Sequence, residues 1–315
     1  MSTTHQTAIE SAHKRIKPFI HQTPLFSSES INQLAGATLL FKCENFQKIG
    51  AFKMRGAANA ILQLKGNLSI KGITTHSSGN HAQAVALAAQ KAGFQAKIVM
   101  PSNAPNVKIA AVKGYGAEIE LCEPTLQARE DGVEKIISEF GFAFVHPYDN
   151  WEVIYGQATC VKEIYEAETN IDYLLAPIGG GGLMAGSILS TLVYSSTTKI
   201  IGCEPTGADD AFQSWKSGKH LLQTNPNTIA DGLLTSVGLI NFPIIMDNVS
   251  KIFTVTDEQI ISAMKITYER LKIVIEPSSA VPLAVVLANK AFFKGKKLAL
   301  ILTGGNVDLR QLPFQ

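Results

Sequence analysis

The sequence predicts an α/β protein built from two doubly wound open-sheet domains. Between residues 72 and 145, short apolar segments alternate with helix-like segments, and a second alternating series runs from residue 152 to residue 302. Polar or glycine-rich turns follow the ends of several predicted strands. Strands that alternate with helices pair in parallel, and ligands of such sheets bind beyond the carboxyl ends of the strands. We therefore expect these turns to line one cleft.

The first alternating series has the size of a small domain. Its segments are the predicted strands 73–75, 96–100, 118–121 and 144–145, and the predicted helices 80–92, 106–114 and 126–140. We expect this small domain to span residues 69–149. A large, discontinuous domain of residues 1–68 and 150–315 would carry the remaining elements.

The large domain begins with an extended segment around Pro24, because the residue before a proline avoids the helical conformation. A strand over 38–44 follows, and after a loop a helix begins near Lys53. The other predicted elements are helix 152–168, strand 173–177, a helix from Gly182, strand 199–204, helices 257–272 and 279–289, and strand 297–302.

Composition excludes several classes of protein. The 315 residues are 46% hydrophobic and 17% charged with a formal net charge of +2, so we expect neither nucleic acid nor an anionic membrane as a partner. No apolar run reaches the roughly 18 residues of a membrane span. The cysteines are far apart in the sequence, which favours reduced, buried thiols over disulfides or a zinc site: Cys43, Cys122, Cys160 and Cys203. We expect a cytoplasmic protein.

A run of four glycines lies between a buried-strand pattern and a helix start: Gly179, Gly180, Gly181 and Gly182. Exposed backbone N–H groups at a helix N-terminus favour an anion, most often a phosphate. The alternative is a loose turn.

Residues near the ends of other predicted strands and helices each allow two interpretations. Lys53 at a helix start is either a solvated lysine or one whose lowered pKa suits Schiff-base chemistry. The turn from Ser77 to His81 is either a helix cap or an anion-binding turn. Thr303 resembles an ordinary turn residue, and Arg129 an ordinary surface arginine.

Two acids near a strand end are also ambiguous. Glu204 ends a predicted strand, and Asp210 follows six residues later. Together with the backbone carbonyl of Ala208 they could hold Mg²⁺, Mn²⁺ or Ca²⁺. Taken alone, capping of the next helix by Asp209 and Asp210 is the better interpretation.

Six sequence blocks are spread across almost the whole chain: KCENFQKIGAFKMRG (42–56), SGNHAQ (78–83), GGGG (179–182), ADG (230–232), EP (276–277) and TGGNVDL (303–309). In composition and order, these blocks resemble the serine/threonine dehydratase and serine racemase family, which is fold type II among pyridoxal-phosphate enzymes.

The resemblance implies pyridoxal 5'-phosphate as cofactor and assigns its contacts. Lys53 would be the Schiff-base lysine with Phe52 beside it, and the four glycines would bind the phosphate. Asn80 would contact the ring hydroxyl, and Thr303 the pyridine nitrogen, where typical members carry serine.

The resemblance also implies substrate and metal contacts. The residues that would hold the amino-acid substrate are Ser77, Ser78, Asn80, His81 and Arg129. Glu204, the Ala208 carbonyl and Asp210 match the divalent-cation site of racemase-like members. We also expect a homodimer.

Two features narrow the predicted activity. The sequence ends shortly after Leu309, so we expect no regulatory domain of the kind found in biosynthetic threonine dehydratases. Ser78 stands where plain threonine dehydratases carry alanine, as in racemases and hydroxyaspartate dehydratases. We expect a serine racemase that also dehydrates serine or threonine, with Lys53 as the base and Ser78 as the acid on the opposite face. The alternatives are a threo-3-hydroxyaspartate dehydratase and a catabolic threonine dehydratase without racemase activity.

Two rival functions remain. A nicotinamide-dependent oxidoreductase would use the spacing Gly180-x-Gly182-x-x-Ala185 with Glu204 at the next strand end, but it leaves Lys53 and Thr303 without roles. A β-replacement enzyme such as cysteine synthase would share the cofactor but not the reaction.

Overall fold

The computed structural model describes residues 2–104 and 106–314, and it contains two β-sheets covered by helices. The described strands are β1 Leu25–Phe26, β2 Thr38–Cys43, β3 Gly72–His76, β4 Gln95–Pro101, β5 Glu118–Cys122, β6 Phe142–Phe144, β7 Tyr173–Pro177, β8 Lys199–Pro205, β9 Lys251–Val255 and β10 Lys297–Leu302. The described α-helices are α1 Ser2–Ile16, α2 Glu29–Ala35, α3 Lys53–Leu64, α4 Asn80–Ala92, α5 Asn106–Gly114, α6 Leu126–Phe140, α7 Trp151–Ala167, α8 Gly182–Tyr194, α9 Asp210–Ser217, α10 Asn241–Asn248, α11 Asp257–Leu271, α12 Pro277–Ala288 and α13 Lys290–Phe293.

The larger sheet has six strands in the order β1-β2-β10-β7-β8-β9. All neighbouring pairs are parallel except β1 with β2. The central strands β7 and β10 are buried along most of their length, as expected of parallel strands covered on both faces. The carboxyl ends of β7, β8 and β10 therefore meet at one edge, where the glycine run, Glu204 and Thr303 lie.

The smaller sheet has four parallel strands in the order β5-β4-β3-β6. Helix α4 packs on β3 and β4 and is rich in alanine, because close packing of the helix on the sheet leaves little room for larger side chains. The Ser77–His81 turn follows the end of β3. The predicted fold class is confirmed, whereas the exact domain boundaries stay a prediction; Met1 and Gln315 lie outside the described residues.

Among the differences from the predicted elements, those at β9 and α12 have local causes. Strand β9 was not predicted, since it is an edge strand paired only with β8 and its burial is irregular. Strand β6 begins and ends earlier than predicted, at Phe142 and Phe144. Helix α12 begins at Pro277, two residues before the predicted start at residue 279, because proline is favoured at the first helical position.

A buried ionic cluster anchors the helix that carries Lys53. Arg55, two residues into α3, is fully buried and donates to the carboxylates of Glu44 at 2.7 Å and Glu163 at 2.7 Å. Lys42 also pairs with Glu163, at 2.6 Å. Removing one partner of such a buried pair is strongly destabilising, so the cluster holds α3 against β2 and α7.

The other fold-level expectations concern cysteines and membranes. All four thiols are free, and Cys43, Cys160 and Cys203 are buried. Burial raises the pKa of Cys43 to about 12, which keeps this thiol protonated and unreactive. Within the described residues, none of the helices has both the length and the apolar character needed to cross a bilayer.

Candidate active site

Lys53 is the first residue of α3, and its amine is enclosed by groups from distant parts of the chain. The Nζ atom donates to the carbonyl oxygen of Pro147 at 2.9 Å and lies 5.3 Å from the ring centroid of Phe52. Burial lowers the pKa of the amine to about 8, and the negative charge of Glu276 partly opposes this. A substantial neutral fraction at neutral to mildly basic pH follows, which a nucleophilic or basic lysine requires.

The glycine run connects β7 to α8 and approaches Tyr148 closely. A Cβ on Gly180 would lie 2.2 Å from the Tyr148 ring, and a Cβ on Gly182 2.9 Å from the Tyr148 carbonyl oxygen. Gly181 has a φ of +87°, a conformation that favours glycine. The first N–H groups of α8 have no carbonyl partner in a preceding turn, so they face the region beyond the strand end.

Tyr148 places the lysine beside the glycine run. The Lys53 Nζ lies 6.0 Å from the centroid of the same Tyr148 ring that covers Gly180. Lys53 and Gly180, more than 120 positions apart in the sequence, therefore both lie close to the Tyr148 side chain.

The Ser77–His81 turn contributes polar groups from the smaller sheet. The Ser77 hydroxyl oxygen accepts the N–H of Gly79 at 3.2 Å, which is a local turn bond rather than a cap of α4. The Asn80 amide crosses to the larger sheet: its Nδ2 donates to the two Glu276 oxygens at 2.8 and 3.1 Å, and its Oδ1 accepts from Asn306 at 2.8 Å. Asn80 is thus held at the interface between the sheets.

His81 is buried and neutral. Burial, reinforced by the nearby Lys53 charge, lowers its pKa well below the usual value. Its Nε2 lies 3.1 Å from the Val145 carbonyl oxygen, which requires a proton on Nε2, and its Nδ1 has no hydrogen-bond partner in the part of the chain that the structure describes. A predicted role in binding a carboxylate therefore falls to its backbone N–H at the start of α4, not to the ring.

Thr303 lies at the end of β10 and is 3% exposed. Its hydroxyl is 2.9 Å from that of Ser279, and its carbonyl accepts the N–H of Phe52 at 2.9 Å, which ties β10 to the start of the lysine helix. Ser279 was missed by sequence reasoning; the only signal was its place two residues after the Glu276-Pro277 block.

Glu276 was quoted within a motif but given no role by sequence reasoning. It is 4% exposed, and burial together with the charge of Asp231 raises its pKa to about 7. Its contacts with Asn80 and its influence on Lys53 place it in the site, although it lies more than 190 residues from either in the sequence.

The two acids of the predicted cation site are both buried. The Glu204 carboxylate accepts the N–H groups of Ala211 at 3.1 Å and Phe212 at 2.7 Å, so Glu204 caps α9, a role that the sequence interpretation gave to Asp209 and Asp210. Asp210 accepts the N–H of Val237 at 3.0 Å.

The electrostatics of these acids fit a bound cation. Burial, and then the charge of Asp210, raises the pKa of Glu204, and burial raises the pKa of Asp210 to about 6. A divalent cation would remove this repulsion, and Ala208 is a buried neighbour in the sequence. Among the described residues, no group of three or more His, Cys, Asp and Glu side chains is arranged to hold a metal ion, so any such site depends on carbonyl or water ligands.

Arg129 lies on α6 and is partly exposed, with its Nε donating to the Thr125 carbonyl at 3.2 Å. Burial is the main cause that lowers the pKa of His76 to about 4, and the Arg129 charge adds to it. Arg129 is therefore close to the end of β3, on the side where the Ser77–His81 turn begins.

Comparisons with known proteins show the family of this chain. The family described as pyridoxal-phosphate dependent enzyme matches residues 16–304. The chain belongs to this family. A β-hydroxyaspartate dehydratase from Paracoccus denitrificans is 46% identical over 304 residues, which cover 96% of each chain. A serine racemase from Dictyostelium discoideum is 46% identical over 318 residues, covering 99% of this chain and 98% of that one. The solved structure of maize serine racemase matches with a TM-score of 0.94 and 42% identity, covering 96% and 94%.

The residues present fit the family's cofactor. A lysine with a lowered pKa stands beside a run of glycines that leaves room where side chains would clash, at the N-terminus of a helix. An amine that links to a carbonyl carbon and a cradle for a phosphate are the two features that pyridoxal phosphate needs.

Proposed function

We propose that this enzyme racemises serine and also eliminates water from serine, threonine or a related 3-hydroxy amino acid, which yields ammonia and a 2-oxo acid. The observation that carries the proposal is that the Lys53 amine, with its pKa lowered to about 8, and Gly180 both lie against the Tyr148 ring. The similarity to serine racemases and to a β-hydroxyaspartate dehydratase supports the same reaction class.

Lys53 would hold the cofactor, with the phosphate on residues 179–182, the ring hydroxyl near Asn80 and the pyridine nitrogen near Thr303. When bound, pyridoxal phosphate supplies an electron sink that makes the substrate α-proton acidic. Once the substrate amino group has displaced the lysine from the cofactor, the freed Lys53 amine would remove that proton from one face, for which its lowered pKa is suited. The Thr303 hydroxyl would give the ring nitrogen a neutral hydrogen-bond partner rather than a carboxylate, and this would moderate the electron sink.

The substrate carboxylate would be bound at the start of α4. Ser78, Asn80 and His81 offer backbone N–H groups there, with no preceding helical turn to accept them. The Ser77 N–H already donates to the Val99 carbonyl oxygen at 3.2 Å, so Ser77 would contribute its hydroxyl. The Ser78 hydroxyl would return a proton on the face opposite Lys53, and this inverts the α-carbon.

The test compares two variants. In Lys53→Ala, we expect the visible absorbance of bound cofactor to disappear along with turnover. In Ser78→Ala, we expect serine racemisation to fall at least about tenfold, within the range contributed by a positioned acid, while elimination from L-serine persists. A visible band in Lys53→Ala would remove the lysine from its role, and racemisation of L-serine at the parent rate in Ser78→Ala would refute the two-face assignment.

A second substrate, threo-3-hydroxyaspartate, is favoured by one observation. Its side-chain carboxylate requires a cation, and Arg129 is close to His76 at the edge of the Ser77–His81 turn. Chiral product analysis with serine, threonine and threo-3-hydroxyaspartate ranks the candidates, and a kcat/KM for hydroxyaspartate far below that for serine would exclude this one.

Three further expectations are part of the proposal. A Mg²⁺, Mn²⁺ or Ca²⁺ ion would bind Glu204, the Ala208 carbonyl and Asp210, and the repulsion between the buried acids supports this. We propose a homodimer, supported by the exposed aromatic pair Phe26 and Phe46, and light scattering during gel filtration tests it. The free cysteines support a reducing, cytoplasmic location.

A further inference from the structure

The segment 146–149, which we call the His146 turn, connects β6 to α7 and is organised around one imidazole ring. The His146 Nδ1 accepts the backbone N–H of Asp149 at 2.8 Å and of Tyr148 at 3.3 Å. Two N–H donors on the same nitrogen require its lone pair, so the ring proton is on Nε2. Burial lowers the pKa of His146 to about 4, which is consistent with a neutral ring.

The His146 turn places a carbonyl against the catalytic amine. Pro147, in the middle of the turn, accepts the hydrogen bond from Lys53 Nζ at 2.9 Å. The far end of the turn is held by Asp149, whose carboxylate accepts the N–H groups of Leu239 at 3.0 Å and Ile240 at 2.9 Å. With that end anchored, the direction of the Pro147 carbonyl depends on the backbone bonds to the imidazole.

We infer that His146 is a positioning residue for Lys53. A neutral amine has two N–H bonds and one lone pair; donating one N–H to the Pro147 carbonyl restricts the direction in which the lone pair points. Without an acceptor at His146, the two backbone N–H groups lose their partner, the turn relaxes, and the carbonyl no longer holds the amine. His146 acts through the turn, and the inference rests on the proposed role of Lys53 as the base.

The decisive experiment compares His146→Asn with His146→Gln in the holoenzyme. The Asn Oδ1 occupies the same position along the side chain as the imidazole Nδ1, whereas the Gln acceptor lies one carbon farther out. We expect His146→Asn to keep kcat for serine within about threefold of the parent. We expect His146→Gln to lose about ten- to a hundredfold in kcat with KM nearly unchanged, since small misplacements of a reacting group cost this much.

An isotope effect separates positioning from general damage. With α-deuterated serine, the kinetic isotope effect on kcat should increase in His146→Gln, because proton removal becomes slower, and should stay at the parent value in His146→Asn. If His146→Gln does not fold, His146→Ala replaces it with the same expectation. Equal kcat values and equal isotope effects in the Asn and Gln (or Ala) variants would overturn the inference.

Measuring Lys53→Ala in parallel distinguishes a failure of the positioning role of His146 from a failure of the proposed function. Loss of the visible band in Lys53→Ala, together with identical behaviour of the His146 variants, refutes the positioning role alone. A retained band in Lys53→Ala refutes the proposed function on which that role depends.

Discussion

Substituting alanine for Gly180 tests the close approach between the glycine run and the His146 turn. The new Cβ would lie 2.2, 2.3 and 2.5 Å from the Cγ and two Cδ atoms of Tyr148, at the base of the ring, where rotation of the side chain relieves little. Overpacking of this kind costs about 1–3 kcal/mol. Because the ring also lies 6.0 Å from Lys53 Nζ, we expect Gly180→Ala to lower both the free energy of unfolding and the affinity for pyridoxal phosphate.

The loss of stability in Gly180→Ala should depend on the Tyr148 side chain. In a Tyr148→Ala background, the destabilisation by Gly180→Ala should shrink by at least about 1 kcal/mol, since residues in direct contact show coupling energies of this size. Gly182→Ala is the contrast, because its Cβ would lie 2.9 Å from the Tyr148 carbonyl oxygen and 3.1 Å from its Cα, contacts that Tyr148→Ala leaves in place. The measurement is urea unfolding with and without saturating pyridoxal phosphate.

Gly114→Ala provides the matched control. Gly114 ends α5, a Cβ there would meet nothing within 4 Å, and alanine is favoured over glycine in a helix by about 0.5–1 kcal/mol. This variant should be neutral or slightly stabilised. Strict additivity of Gly180→Ala and Tyr148→Ala, or a loss in Gly114→Ala as large as that in Gly180→Ala, would refute the packing argument.

Two further outcomes follow from the buried acids. The pKa of Glu276 is raised from 4.5 to about 7, so between these pH values the folded state holds a proton that the unfolded state has lost. The protonated Glu276 therefore contributes its full share to the free energy of unfolding below pH 4.5, and this share is lost as the pH rises to about 7. Relative to the parent, the free energy of unfolding of Glu276→Gln in urea should therefore rise by about 3 kcal/mol between pH 4.5 and pH 7. Glu139→Gln, which removes an exposed carboxylate, serves as the control for the change in net charge. Parallel pH profiles for the parent and Glu276→Gln would contradict the burial argument. EDTA should lower the thermal midpoint of the parent and Mg²⁺ restore it, with both responses absent in Glu204→Gln; a parent that responds to neither would leave Glu204 as a cap of α9 only.

The local parts of the site were predictable from the sequence because each depends on neighbours in the chain. Lys53 at a helix start, the glycine run after an apolar strand and the Ser77–His81 turn are all strand or helix ends, and such ends have short-range signatures. The family resemblance added the order of these blocks. The parallel sheets then brought the ends together, as the alternation of strands and helices implies.

The contacts between residues that are distant in the sequence were decided only by the tertiary structure. Pro147 and Tyr148 follow an unremarkable short strand, yet the first accepts from Lys53 across 94 positions and the second covers Gly180. Glu276 binds Asn80 across 196 positions, and Glu204 rather than Asp209 caps α9. Hydrogen-bond partners, burial and the resulting pKa shifts depend on which side chains meet in space, and the periodicity of a single segment carries no information about that.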